Sequence, residues 1–208
     1  MLIIGIHGPS RSGKDTVCKI LIDKFPMIKF EKQGFADALK ISAAKAIGLE
    51  GTDAELVSKM DRIKESGQIR TPFHTISGRQ FLQLYGTEAH RDMFGDDFWL
   101  DQVILDPSNP RKRIAGAHRT CDVLLISDVR YQNEVGRVID AGGELWKVRR
   151  EVPGTTTGHA SEGKLVARWD SVIDNNEGID DLERQVMVCF NPIADGIINE
   201  RVKKAVGT

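Results

Sequence analysis

The 208 residues predict an α/β protein in which a parallel sheet carries helices on both faces. Three observations carry that expectation. Short apolar runs rich in β-branched residues alternate with stretches of helical spacing. The runs at 2–7 and 121–128 are apolar on consecutive positions, as strands buried on both faces are. A glycine-bearing turn joins the first of them directly to a helix.

The elements follow in order. Residues 2–7 form a strand that Gly8-Pro9-Ser10 ends, and a helix is expected over 13–24, with Val17, Ile20, Leu21 and Phe25 on one side and Pro26 past its end. A second short strand is expected at 28–34 and a helix at 36–47, stopped by Gly48. Residues 52–65 read as a charged, weakly apolar surface helix. Residues 67–77 hold Gly, Pro and Thr and read as a loop. A helix over 79–93 carries Phe81, Leu82 and Tyr85, and another over 97–105 is closed by Asp106-Pro107. A polar connector, 107–120, leads to the strand at 121–128, which ends in the carboxylate Asp128. A helix at 132–141 stops at Gly142-Gly143, strands follow at 144–149 and 171–174, a loop lies at 153–158, and the chain is helical from 180.

Length fits a single domain spanning 1–208 with an appended lid or substrate-binding insertion. A formal net charge of -1 supplies no broad positive field, which argues against a nucleic-acid partner. Cys18, Cys121 and Cys189 are widely spaced and read as free thiols, not metal ligands. The first apolar run is too short for a signal segment or a membrane span, so the expectation is a cytoplasmic protein.

The turn after the first strand is Gly8-Pro9-Ser10-Arg11-Ser12-Gly13-Lys14-Asp15-Thr16, a G-x-x-x-x-G-K frame between a strand and a helix. Two glycines let the backbone curl until successive N–H groups and the positive helix end face one anion. An ordinary turn would gain nothing from Lys14, because the dipole disfavours a cation at a helix start. The frame therefore marks a phosphate-binding P-loop, with Ser12 and Gly13 in the cradle and Lys14 reaching the β- and γ-phosphates of ATP. One position departs from the usual pattern: Asp15 follows the lysine, and the hydroxyl comes at Thr16. Asp15 is expected to hold Mg²⁺ directly or through water, and Thr16 to bond the α-phosphate, beside or instead of metal contact.

Asp128 and Arg130 fall at the carboxyl edge of the sheet, where doubly wound folds bind ligands. Asp128 is expected to orient water on Mg²⁺ or grip a substrate group, the alternative being a cap on the following helix. Two polyanions meeting in line need positive charge around both. Arg11, Lys40, Arg70, Arg79, Arg91, Arg130, Arg149 and Arg150 are the candidates, with Arg11 and Arg130 leading. Arg149 and Arg150 precede a Gly- and Thr-rich loop and His159-Ala160-Ser161-Glu162, an expected lid at 149–165 over ATP. Among the aromatics, Trp99 is singled out for stacking on a base.

Arg11-Ser12-Gly13-Lys14-Asp15-Thr16 resembles the P-loop of phage-type deoxynucleoside monophosphate kinases, including the Asp after the lysine. The resemblance extends through Phe35-Ala36-Asp37-Ala38-Leu39-Lys40, 82–88, Asp128-Val129-Arg130-Tyr131-Gln132-Asn133-Glu134 and 159–162. It implies a nucleoside-monophosphate-kinase-like P-loop fold, ATP with Mg²⁺ as donor, and a deoxynucleoside monophosphate acceptor between the central helices and the sheet edge, with 35–106 as the helical acceptor-binding region. It also implies that Arg11 touches the acceptor phosphate, that Glu88 and Arg91 contact the substrate, and that Arg70 is a further contact. The chain would act as a monomer or homodimer, in the host cytoplasm if phage-encoded. Phosphomevalonate kinases of the animal type and dephospho-coenzyme A kinases share parts of this pattern. A nucleotide-binding switch and a 5′-end kinase of nucleic acid are the remaining alternatives; the density of Arg disfavours the first and the charge balance the second.

Overall fold

A computed structural model of the chain describes residues 1–70, 72, 74–104, 120–151 and 165–207. The connector at 107–119, the loop at 153–158 and the 159–162 motif lie outside the described residues. The chain divides into two compact units, one made of 1–33 with 106–208, the other of 34–105.

The first unit is built on a parallel sheet of β1 (Leu2–His7), β2 (Phe30–Gln33), β5 (Val123–Val129), β6 (Glu144–Arg149) and β7 (Ser171–Asp174), in the order β2-β5-β1-β6-β7. The chain leaves β5 on one side of β1 and re-enters the sheet as β6 on the other. The carboxyl end of β1 therefore lies where the strand order reverses, the place such sheets reserve for ligands.

Helices α1 (Lys14–Lys24) and α8 (Ile179–Val206) cover one face. Val17, Ile20 and Leu21 of α1 and Leu182, Val186, Phe190 and Ala194 of α8 join Ile4, Ile6, Val123, Leu125, Trp146 and Val148 in one core. Phe190 lies fully buried within it, with Phe25 edge-on at 4.7 Å. Helix α7 (Gln132–Asp140) covers the other face through Val135 and Val138. It comes so close that a Cβ on Gly5 would lie 3.0 Å from Val138. The parallel sheet with helices on both faces is as the sequence predicts. Pro192 sits inside α8, which runs through it as a single helix of 28 residues.

The second unit holds α2 (Phe35–Ala46), α3 (Asp53–Ser66), the antiparallel pair β3 (Gln68–Arg70) and β4 (Thr75–Ser77), α4 (Gly78–Gly86), a π-helical turn (Thr87–Arg91), α5 (Asp92–Phe94) and α6 (Phe98–Val103). Two expectations are corrected here. Helix α3 exposes its charged face as expected but is not weakly apolar throughout: Leu56 and Met60 are buried against Ala43, Ala44 and Leu82. Two buried residues four apart suffice when the facing helix offers alanines, and a composition average hides them. The stretch 67–77 is not plain loop, because its ends pair as a three-residue ladder. The residue after the ladder packs backbone to backbone on α3. A Cβ on Gly78 would lie 2.1 Å from the Ile63 carbonyl oxygen, so glycine is required there.

Among the described residues no helix is long and apolar enough to cross a membrane.

Candidate active site

β1 ends at His7, whose Nδ1–H donates to the Val129 carbonyl at 2.9 Å while its ring stacks on Trp169. The chain then curls. Gly8 passes so close to β6 that a Cβ would lie 2.4 Å from the Val148 carbonyl oxygen. Arg11 takes φ 61 and Gly13 φ 104, two left-handed turns that bend the loop back on itself. The Ser12 N–H bonds the Pro9 carbonyl at 3.2 Å, and α1 starts with the Val17 N–H on the Gly13 carbonyl at 2.9 Å.

Inside this curl Lys14 Nζ donates to the carbonyls of Gly8 and Pro9, each at 2.7 Å. Ser12 is 1% exposed, and its hydroxyl is buried without a hydrogen-bond partner. A buried hydroxyl left unsatisfied costs free energy that an incoming acceptor removes. An ammonium group on two neutral carbonyls gains likewise from a charged oxygen. The loop fits a phosphate.

β5 lies beside β1, and its register slips near the site. Gly5 faces Ile126 but His7 faces Val129, so β5 carries one residue more than β1 across that step. Such a bulge re-aims side chains, and Ser127 and Asp128 occupy it. Asp128 is thus inside β5 rather than at its end, a correction to the expected boundary. At the start of α7 Glu134 closes a cap, its carboxylate accepting the N–H of Arg130 at 2.6 Å and of Tyr131 at 3.0 Å. Burial pushes the Glu134 carboxyl up to about 7, against the pull of those two N–H groups, and the Asp128 charge adds to the rise.

The remaining sequence candidates of this unit are placed as follows. Asp15 is exposed and pairs with Lys32 of β2 at 2.5 Å. Thr16 is half-buried on the first turn of α1, and Arg130 is exposed. Arg149 is clamped by Asp174 through two bonds of 2.7 and 2.8 Å, side by side across β6 and β7. Arg150 reaches the Arg11 carbonyl at 3.5 Å. Asn175, which the sequence did not mark, donates from its side-chain amide to the Ser12 carbonyl at 2.8 Å. Its only outward signal is a polar pair, Asn175-Asn176, directly after a strand at the carboxyl edge.

For Mg²⁺ the test is the donor set. Asp15, Thr16 and Asp128 offer hard oxygens only, which suits the ion. Among the described residues no group of three or more His, Cys, Asp or Glu converges on a metal position. Mg²⁺ held by one or two carboxylates, water and substrate phosphates needs none.

In the unit of residues 34–105, Lys40 is nearly buried between Asp37 at 3.2 Å and Asp61 at 3.1 Å, and so ties α2 to α3. Burial draws its pKa down, but the two carboxylates outweigh it and leave the ammonium above its ordinary value. Glu88 and Arg91 fall in the π-helical turn, a backbone irregularity frequent at functional sites. Glu88 is exposed, whereas the Arg91 Nε is buried with no hydrogen-bond partner. Arg70 and Arg79 are exposed. Trp99 is corrected: at 3% exposure, with its indole N–H on the Gly86 carbonyl at 3.0 Å and Phe98 and His90 against its ring, it is core and presents no face to a base.

Comparison with known proteins adds the family. Residues 35–186 match the model of the deoxynucleotide monophosphate kinase family. A curated protein of Acanthamoeba polyphaga mimivirus, named "Putative deoxynucleotide monophosphate kinase", is 30% identical over 205 residues, covering 92% of this chain and 97% of its own. With most of its length matched by the family model and by this relative, the chain belongs to the deoxynucleotide monophosphate kinase family.

Proposed function

We propose that the protein transfers the γ-phosphoryl group of ATP to a deoxynucleoside 5′-monophosphate and releases ADP and the diphosphate. One observation carries the donor half: the curl of Gly8 to Lys14, with an unpartnered buried Ser12 hydroxyl and the Lys14 ammonium on its own loop carbonyls. The acceptor half rests on family membership.

The acceptor needs no general base, since a phosphate monoester has its second pKa at about 6 and its oxygen is already anionic at neutral pH. The chain's task is to hold two polyanions in line and screen them. Lys14 exchanges its loop carbonyls for β- and γ-phosphate oxygens. Backbone N–H groups of Ser12, Gly13 and Asp15 with the Thr16 hydroxyl take the rest of the triphosphate. Arg11 and Arg130 neutralise charge at the transferring group and the acceptor phosphate. Mg²⁺ would supply further screening of the triphosphate charge. Asp128 and Thr16 are the residues to face it, with Asp15, already on Lys32, acting through water. Arg150 serves ATP beside Arg11, and Arg149 keeps the edge of β6 in place through Asp174. Within one kinase domain, residues 35–106 supply the acceptor contacts, Glu88 and Arg91 foremost, with Arg70 beside them and Lys40 fixing the helices that carry them.

A coupled assay of ADP release across the deoxynucleoside and ribonucleoside monophosphates tests this. Turnover is expected with at least one deoxynucleoside monophosphate and to fall roughly 10²–10³-fold in Lys14→Ala, as when one preorganised charge contact is lost. ATP hydrolysis indifferent to every monophosphate, or an unimpaired Lys14→Ala, rejects the proposal.

A further inference from the structure

We propose that Asn175 is a positioning residue of the phosphate loop, holding the Ser12–Gly13 peptide so that its N–H faces the donor phosphates. The inference rests on the donor site proposed above and extends it to a residue on a different element.

Asn175 follows β7, and its own N–H donates to the Arg149 carbonyl at 2.8 Å, so its backbone is an extension of the sheet. From that fixed base its side-chain amide donates to the Ser12 carbonyl at 2.8 Å, across 163 residues of sequence. A peptide unit is planar and trans, so the Ser12 carbonyl and the Gly13 N–H point in opposite directions. Tying the carbonyl to Asn175 on the outer side therefore turns the Gly13 N–H away from Asn175. That leaves it for an anion in the concavity, where such nests bind phosphate.

A second observation concerns Gly13. A Cβ there would lie 2.3 Å from the Asn175 amide nitrogen, quite apart from the positive φ. The second glycine of the motif is thus required by the seat of Asn175 as well as by the turn. The amide must donate, because its partner is a carbonyl with no proton to give. Preorganisation of this kind matters most where several N–H groups must converge on one ligand before it arrives.

The experiment compares Asn175→Asp, which keeps shape but replaces the donor with an oxygen, with Asn175→Ala and the wild type. Mg·ATP affinity is read by calorimetry and steady-state constants for both substrates by the coupled assay. Asn175→Asp is expected to weaken Mg·ATP binding at least about tenfold, since it sets a carboxylate against the Ser12 carbonyl, and Asn175→Ala several-fold. The KM of the monophosphate is expected to stay within about twofold, and the melting temperature without nucleotide to fall by no more than one lost half-buried hydrogen bond accounts for. If Asn175→Asp does not fold, Asn175→Ala carries the same comparison. Unchanged Mg·ATP affinity in variants that fold, or an equal rise in both KM values, overturns the role of Asn175. A wild type that takes up no Mg·ATP sinks the donor site and this inference together.

Discussion

Around the sheet, Trp146 and Phe190 are wholly buried among β-branched and leucine side chains, while the buried charged residues described in that unit, Glu134 and Arg137, lie on α7. Residues 34–104 close instead on Ala43, Ala44, Leu56, Met60 and Leu82, with Lys40 set between two aspartates at the seam of α2 and α3. The first arrangement lets apolar area and strand ladders carry stability, so the edge of the sheet is left to loops that bend toward a ligand. The second buries smaller side chains and spends a cation on joining helices. A lysine so committed is a poor candidate for direct contact with substrate.

The comparison is sharpened most by Phe190→Ala. Phe190 is fully buried and meets Phe25, Phe30 and Trp146, so the variant leaves a cavity that a strand-braced core closes badly. A loss of about 3–5 kcal/mol is expected in denaturant unfolding. A loss below about 1 kcal/mol would mean that the sheet core relaxes freely and that apolar packing is not what holds it.

Glu134→Gln comes next. The Glu134 carboxyl is raised from 4.5 to about 7, chiefly by burial, so the folded state holds its proton where the unfolded state has released it. Stability is therefore greatest below the ordinary value and falls as pH rises from about 4.5 to about 7, after which the loss is complete. Glutamine keeps an oxygen for the N–H groups of Arg130 and Tyr131 but cannot ionise. Relative to this variant, the wild type is expected to lose up to about 3 kcal/mol across that window. Thermal melts of both proteins from pH 4 to 8 check it, and parallel profiles would remove the assignment.

The same contrast explains what was legible beforehand. The loop proposed to hold phosphate is a backbone device, and its requirements are local: glycine where φ is positive or a strand passes close, lysine at a helix start. Local requirements leave marks in order along the chain, so Gly8, Gly13 and Lys14 announce the site. Its braces do not, since Asn175 and Lys32 meet the loop only once the sheet is assembled. Trp99 and Lys40 illustrate the opposite difficulty. An aromatic or a lysine on a helix reads the same whether it faces ligand, core or an ion pair, and only packing decides. In α3 the apolar minority of Leu56 and Met60 outweighed a charged majority because burial depends on the facing helix rather than on the average.

Lys40→Met is the smallest and most discriminating change. It keeps the length of the side chain, removes the charge, and leaves Asp37 and Asp61 facing an apolar group. Asp37 retains one partner, the Gly34 N–H at 2.7 Å, so the vacated carboxylate is not wholly orphaned. With the ion pair only partly sheltered, about 1–2 kcal/mol is expected, below what a fully buried pair loses on one-sided removal. The raised pKa gives the direction in pH. The contribution of Lys40 is fully present below its ordinary value of 10.5 and is lost as pH rises through the higher folded value. The double variant Lys40→Met with Asp61→Asn separates the two arms of the bracket. If Lys40 is a pin between helices, the second substitution recovers part of the loss, and the KM of the monophosphate follows stability. If Lys40 instead meets the acceptor phosphate, that KM rises in both variants whatever the unfolding midpoint does, and the division between an apolar cluster under α1 and α8 and a charge-pinned helical unit loses its functional meaning.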